Sequence, residues 1–184
     1  MTTLLQTRLA LLDEYIQLTK GKVIDPYGPN APSAPALAQH YLQFIIGHPL
    51  PHIPGDAYQW AGKEAGRILA GLTTPTRTNT RPEPWAAFTP SPLVNPRPHK
   101  MELWPTPGDL MVFDRNARQG NPWGTIGIHV EQDFNPDTWA VYSQGFGPPA
   151  ILTIDASYLK PLGWWHICDT HIRNRKKPPS AAVL

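Results

Sequence analysis

The sequence predicts an α+β domain in which N-terminal helices pack on an antiparallel β-sheet. Three observations point there. Apolar residues recur at helical spacing in the stretch that ends near Ala70. Short apolar runs separated by Gly and Pro clusters fill the C-terminal half. Helices therefore come first and strands follow, instead of alternating as they do around a parallel sheet.

Thr3 to Lys20 reads as the first helix, with Leu5, Leu9, Leu12 and Ile16 on one stripe and Gly21 as its stop. Asp25-Pro26, Gly28, Pro29 and Asn30 then mark a loop. A second helix starts near Ser33, a good N-cap, with Pro35 tolerated in its first turn. Ala34, Leu37, Ala38, Tyr41, Leu42, Ile45 and Ile46 line its apolar face, His40 falls on its polar side, and Gly47-His48-Pro49 ends it. Asp56 to Ala70 reads as one or two short helices, interrupted at Gly62 and Gly66.

Residues 73–107 are rich in proline and threonine, but Trp85, Phe88, Leu93 and Trp104 are scattered through them. Pure linkers lack such aromatics, so the segment is expected to be an ordered loop draped over the domain. The alternative is a linker between two domains. Strands are expected at Asp109–Asp114, Thr125–Glu131, Thr138–Ser143, Ala150–Ile154 and Trp164–Cys168. The organisation is then one domain over 1–170 and a basic tail over 171–184, with Arg173, Arg175, Lys176 and Lys177.

Composition excludes several classes. A net charge of +2 is too small to imply nucleic-acid binding. No apolar run reaches the ~18–20 residues of a membrane helix. Asp13 and Glu14 interrupt any signal-peptide pattern at the N-terminus, so standard secretion is not expected. Cys168 is the single cysteine, which rules out an internal disulfide and a multi-cysteine zinc site. The 23 prolines predict little regular structure and long connections.

Six local motifs occur in one order. They are Gly21-Lys22-Val23-Ile24-Asp25, Ala34 to Leu42, Gly55-Asp56-Ala57-Tyr58-Gln59-Trp60, Pro107-Gly108-Asp109-Leu110-Met111-Val112-Phe113, Gly124-Thr125-Ile126-Gly127-Ile128 and Gly163-Trp164-Trp165-His166-Ile167. Together they resemble the CHAP family of amidase/peptidase domains, of the papain-like and NlpC/P60 cell-wall hydrolases. The resemblance runs from about Leu12 to Ile167 and has the flavour of phage lysins. It implies a papain-like CHAP fold and a cysteine at a helix N-terminus, where the dipole favours the thiolate. It also implies a histidine base at the start of a facing strand and a third polar residue that orients the imidazole.

This chain departs from that pattern at all three positions. Ala34 stands at the cysteine position, Thr125 at the histidine position and Gly145 at the orienting position. One change would suggest a knock-out; three suggest an abandoned site.

Substitutes are weak. Ser33 could replace the nucleophile, but no histidine is placed to activate it, and an N-cap role is preferred. His129 shares the side-chain parity of Thr125 but lies roughly 13 Å further along the strand, at ~3.3 Å per residue. A hydrogen-bonded sheet residue is the simpler reading. His166 and Cys168 share a strand face and lie near His171, yet a closed zinc site needs about four ligands. A lone Cys is more often a small hydrophobe. No metal and no cofactor is expected. Asp56 reads as a helix cap, Asp109 as a turn residue, and Asp114 as a further carboxylate candidate. Among the tryptophans, Trp60, Trp123, Trp164 and Trp165 are candidates for lining the vacated groove; most others should be core or loop anchors.

The expected function is a catalytically inactive structural or adaptor protein of a phage particle, in the tail or baseplate, reaching the virion after cytoplasmic assembly. Its partners would be other virion proteins. An endolysin or tail-associated peptidoglycan hydrolase is the first alternative, and a non-catalytic peptidoglycan binder the second.

Overall fold

The computed structural model describes residues 3–25, 33–47, 50–71, 86–91, 104–131, 135, 137–145 and 147–167. Helix α1 spans Leu4–Thr19. Thr3 opens it with a capping box: its hydroxyl accepts from the Gln6 amide at 3.2 Å, and the Gln6 side chain accepts from the Thr3 amide at 2.8 Å. The buried stripe is not the one the leucines predict. It consists of Arg8, Leu12, Tyr15 and Thr19, while Leu5 is exposed. Two polar residues occupy it because both are satisfied. Thr19 Oγ1 donates to the Tyr15 carbonyl at 2.8 Å and meets Tyr142 Oη at 2.9 Å; Arg8 forms a buried ion pair with Asp109.

Helix α2 spans Ala34–Ile46, capped by Ser33 and closed by Gly47 in the left-handed conformation (φ +80°). Buried Gln39 pins the segment that follows. Its amide donates to the Pro51 carbonyl at 2.7 Å, and its carbonyl accepts from the Ile53 amide at 2.9 Å. His40 is half-buried rather than solvated, with Nδ1 3.0 Å from Tyr15 Oη. A 3-10 turn over Ala57–Ala61 and helix α3 over Lys63–Gly71 follow, divided at Gly62. Asp56 takes the N-cap position of the 3-10 turn.

The sheet contains β1 (Ala86–Pro90), β2 (Leu110–Phe113), β3 (Thr125–His129), β4 (Thr138–Ser143), β5 (Ala150–Asp155) and β6 (Pro161–Ile167). Its order is β1-β6-β2-β3-β4-β5, antiparallel throughout. The fold is therefore α+β, as expected, with one correction. Residues 86–90, expected within a loop, form an edge strand in full register with β6, from Ala86 opposite Ile167 to Pro90 opposite Gly163. Phe88 packs on Trp165 with ring centroids 5.0 Å apart. The segment is short and ends in proline, so its pairing comes from β6 and not from local pattern. Strand β6 also begins three residues before the expected Trp164.

Side chains alternate across the sheet. Leu110, Val112, Ile126, Ile128, Tyr142 and Trp165 face the helices and join Leu12, Tyr15, Leu37, Tyr41 and Trp60 in the larger core. Met111, Phe113, Trp139, Val141, Ile154, Leu159 and Trp164 form a second core on the opposite face, where Trp104 stacks on Trp164 at 6.1 Å. No described helix is long and apolar enough to cross a membrane. The loop residues Pro26 to Asn30, Trp85, Leu93, Cys168, His171 and the basic tail lie outside the described residues.

Candidate functional site

The N-terminus of α2 and the adjoining strand ends are the place to look. Ser33 has an extended backbone, and its hydroxyl accepts from the Ala36 amide at 3.3 Å. That is the cap geometry expected of it, and the hydroxyl is committed to the helix. Ala34 follows as the first helical residue and contributes only a methyl group.

Gln144 locks this helix end to the sheet. It is 2% exposed, its carbonyl accepts from the Ile24 amide at 2.8 Å, and its Nε2 donates to the Ile24 carbonyl at 2.7 Å and approaches the Ser33 carbonyl at 3.5 Å. Beside it, Ser143 Oγ donates to the Ile126 carbonyl at 2.7 Å. The α2 start, the end of β4 and the start of β3 thus meet at one end of the sheet. Sequence reading passed over Gln144; the signal available was a polar amide directly after a strand of buried residues.

Ala34, Thr125 and Gly145, the positions singled out by the resemblance, reach this region but do not form a constellation. Ala34 lies at the helix start. Thr125 pairs with Phe113 and shares its face of the sheet, opposite to Ile126 and Ile128, which pack toward α2. Its hydroxyl accepts from Asn121 Nδ2 at 3.3 Å. Gly145 is exposed, with open space where a side chain would begin.

The other proposed site residues fall as follows. His129 is 3% exposed, rings against Trp139 at 6.2 Å, and its Nδ1 meets no hydrogen-bond partner among the described residues. The ring is engaged by the Ala140 backbone, as expected of a hydrogen-bonded sheet residue, while Nδ1 stays without a partner among the described residues. Burial lowers its pKa, and the charges of Asp109 and Glu131 offset this only in part. Trp60, Trp164 and Trp165 are 0%, 2% and 3% exposed. They are core residues, with Trp165 Nε1 donating to the Trp60 carbonyl at 2.9 Å, and present no surface to a ligand. Only Trp123 of the four groove candidates is exposed. Its carbonyl accepts from the Tyr58 amide at 3.2 Å, and Arg115 lies over the Tyr58 ring at 5.1 Å from the centroid. No group of three or more His, Cys, Asp or Glu among the described residues is placed to hold a metal.

A second polar cluster was not anticipated. Asp109 is fully buried; its Oδ1 accepts from Arg8 Nη1 at 3.1 Å and its Oδ2 from the Thr106 amide at 2.8 Å. The Thr106 hydroxyl and His166 Nδ1 complete the shell of Oδ2, each at 3.1 Å. Arg8 Nη2 donates to the Ile167 carbonyl and lies 3.4 Å from His166 Nε2. Arginine only donates, so Nε2 accepts there and Nδ1 carries the proton toward Asp109. An aspartate–imidazole pair of this kind orients a base in acyl-transfer sites. Here the outer nitrogen faces a guanidinium instead of a nucleophile, so the cluster ties α1 to β2 and β6.

No family model matches the chain, and no curated protein matches it. Among solved structures it is similar to the crystal structure of a wild type endolysin, LysIME-EF1, with a TM-score of 0.56 and 15% sequence identity. The likeness is one of fold. It covers 95% of this chain, which spans 65% of that endolysin's chain. The α+β arrangement that carries the helix-start region described above is thus one that this chain shares with a solved endolysin.

Proposed function

We propose that this chain is a catalytically inactive endolysin-like domain that serves as a structural or adaptor protein of a phage particle, in the tail or baseplate. The observation that carries the reading is the start of α2. A methyl group stands at Ala34, the neighbouring Ser33 hydroxyl is held by the Ala36 amide, and buried Gln144 approaches the Ser33 carbonyl from the sheet. Nucleophilic catalysis needs a nucleophile within reach of a base. The Thr125 side chain is no base, and His129 is buried beside Trp139 on the face turned away from α2.

The test is muropeptide release from purified sacculi, read by mass spectrometry beside an active lysin. No soluble fragments are expected. Ala34→Cys is expected to stay silent too, because the imidazole is still missing. New fragments from the unaltered protein would overturn the proposal and revive the hydrolase reading.

A specific observation favours a second reading, a non-catalytic peptidoglycan binder. Trp123 is 57% exposed beside half-buried Tyr58, and such a shelf suits stacking on sugar rings. Co-sedimentation with sacculi that Trp123→Ala abolishes would support it; no co-sedimentation would remove it.

A further inference from the structure

Strand β5 is the edge of the sheet among the described strands, with β4 as its one neighbour. Its six residues, Ala150-Ile151-Leu152-Thr153-Ile154-Asp155, pair with β4 one-for-one without a register shift. Edge strands are normally guarded by lysine, proline, a bulge or an inward charge, because the free edge offers a row of N–H and C=O groups to another chain. Here five consecutive uncharged residues run between Pro149 and Asp155; Ile151, Thr153 and Ile154 have high β-propensity, and Ile151 and Leu152 are 58% and 43% exposed.

We propose that β5 is a self-complementary docking edge that pairs antiparallel with β5 of a second copy of this chain. The one charge in the strand selects the orientation. Parallel pairing in register would set Asp155 against its own copy; antiparallel pairing sends the two carboxylates to opposite ends. A two-fold axis normal to the sheet keeps both helical layers on one side and therefore pairs residues of the same side-chain parity. Centred on Leu152, it sets Leu152 against its own copy, Ile151 against Thr153, and Ala150 against Ile154. Every pair from 150 to 154 is then uncharged, Asp155 falls opposite Pro149 at the strand end, and the two exposed apolar side chains are covered. The contact is isologous, so it closes at a dimer. One strand pair is small beside the roughly 1,600 Å² of a standard interface, so the dimer is expected to be concentration-dependent.

Sedimentation velocity of the full chain, from about 1 to about 300 µM, tests this. The mass is expected to rise from the 20.5 kDa monomer toward twice that value. Leu152→Lys places like charges face to face and is expected to weaken the dimer at least about tenfold, as is Leu152→Glu. Mixing the two variants is expected to restore it as a heterodimer. Circular dichroism melting of each variant controls for folding, and the exposed position predicts little change. A wild type that stays monomeric throughout overturns the proposal. So does a dimer that both variants leave intact, or a mixture that fails to associate.

Discussion

Arg8 and Asp109 show how a single pair sets the character of a region. Both are buried, at 3% and 0% exposed, and the carboxylate accepts from three residues. Removing one partner strands the other charge away from water. Arg8→Met is expected to cost about 3–5 kcal/mol in urea denaturation, the usual range for a broken buried pair. Asp109→Asn should cost a similar amount. Replacing both should cost clearly less than the sum, since no uncompensated charge is left. Additive losses would show that the two side chains act independently. The turn role read for Asp109 is present, since its amide donates to the Thr106 carbonyl at 2.9 Å. Its larger role depends on Arg8 and His166, which lie 101 and 57 residues away in sequence.

At the scale of elements, caps and close approaches decide the boundaries. Thr3 and Ser33 start their helices where a hydroxyl meets a free amide, and Ser33→Ala is expected to cost about 1 kcal/mol by thermal denaturation. Gly163 has a stricter task. A Cβ there would sit 2.3 Å from the Thr89 carbonyl oxygen and 2.6 Å from the Phe88 ring. Gly163→Ala is therefore expected to push β1 off β6 and cost about 1–3 kcal/mol, the range for overpacking. Hydrogen exchange should show the loss first at the amides of 86–89. Unchanged protection there would mean that β1 adjusts without strain. The β1 strand was the one described strand hidden in sequence, because its register exists only against β6. The capped helices and strands β2 to β5 were legible from local pattern alone.

Among the described residues of the molecule, two histidines are pushed toward the neutral form by burial. His129 and His40 both have pKa values lowered by desolvation. In the unfolded chain each takes up a proton near the ordinary histidine pKa of about 6.5. The unfolded state then binds more protons than the folded one, so stability is full above that pH and falls as the pH drops through it. Urea midpoints should therefore decline from pH 7.5 to pH 5. His129→Leu and His40→Leu should each flatten the decline in part, and the double variant more. A midpoint that is level in the unaltered protein, or equally steep in the double variant, would contradict this account.

The sequence by itself determined the α+β class, the two capped helices and most strand positions. These are local properties: a period, a cap, a residue type. Only the tertiary structure decided which residues share a face and which lie inside. It put Arg8 rather than Leu5 on the buried stripe of α1, Trp60, Trp164 and Trp165 in the core, Thr125 on the face away from α2, and Gln144 against the α2 start. Those facts depend on strand register and on contacts between residues 50 to 160 positions apart. A polar side chain at a buried position is tolerated only when a distant partner satisfies it, and a one-dimensional pattern cannot name that partner.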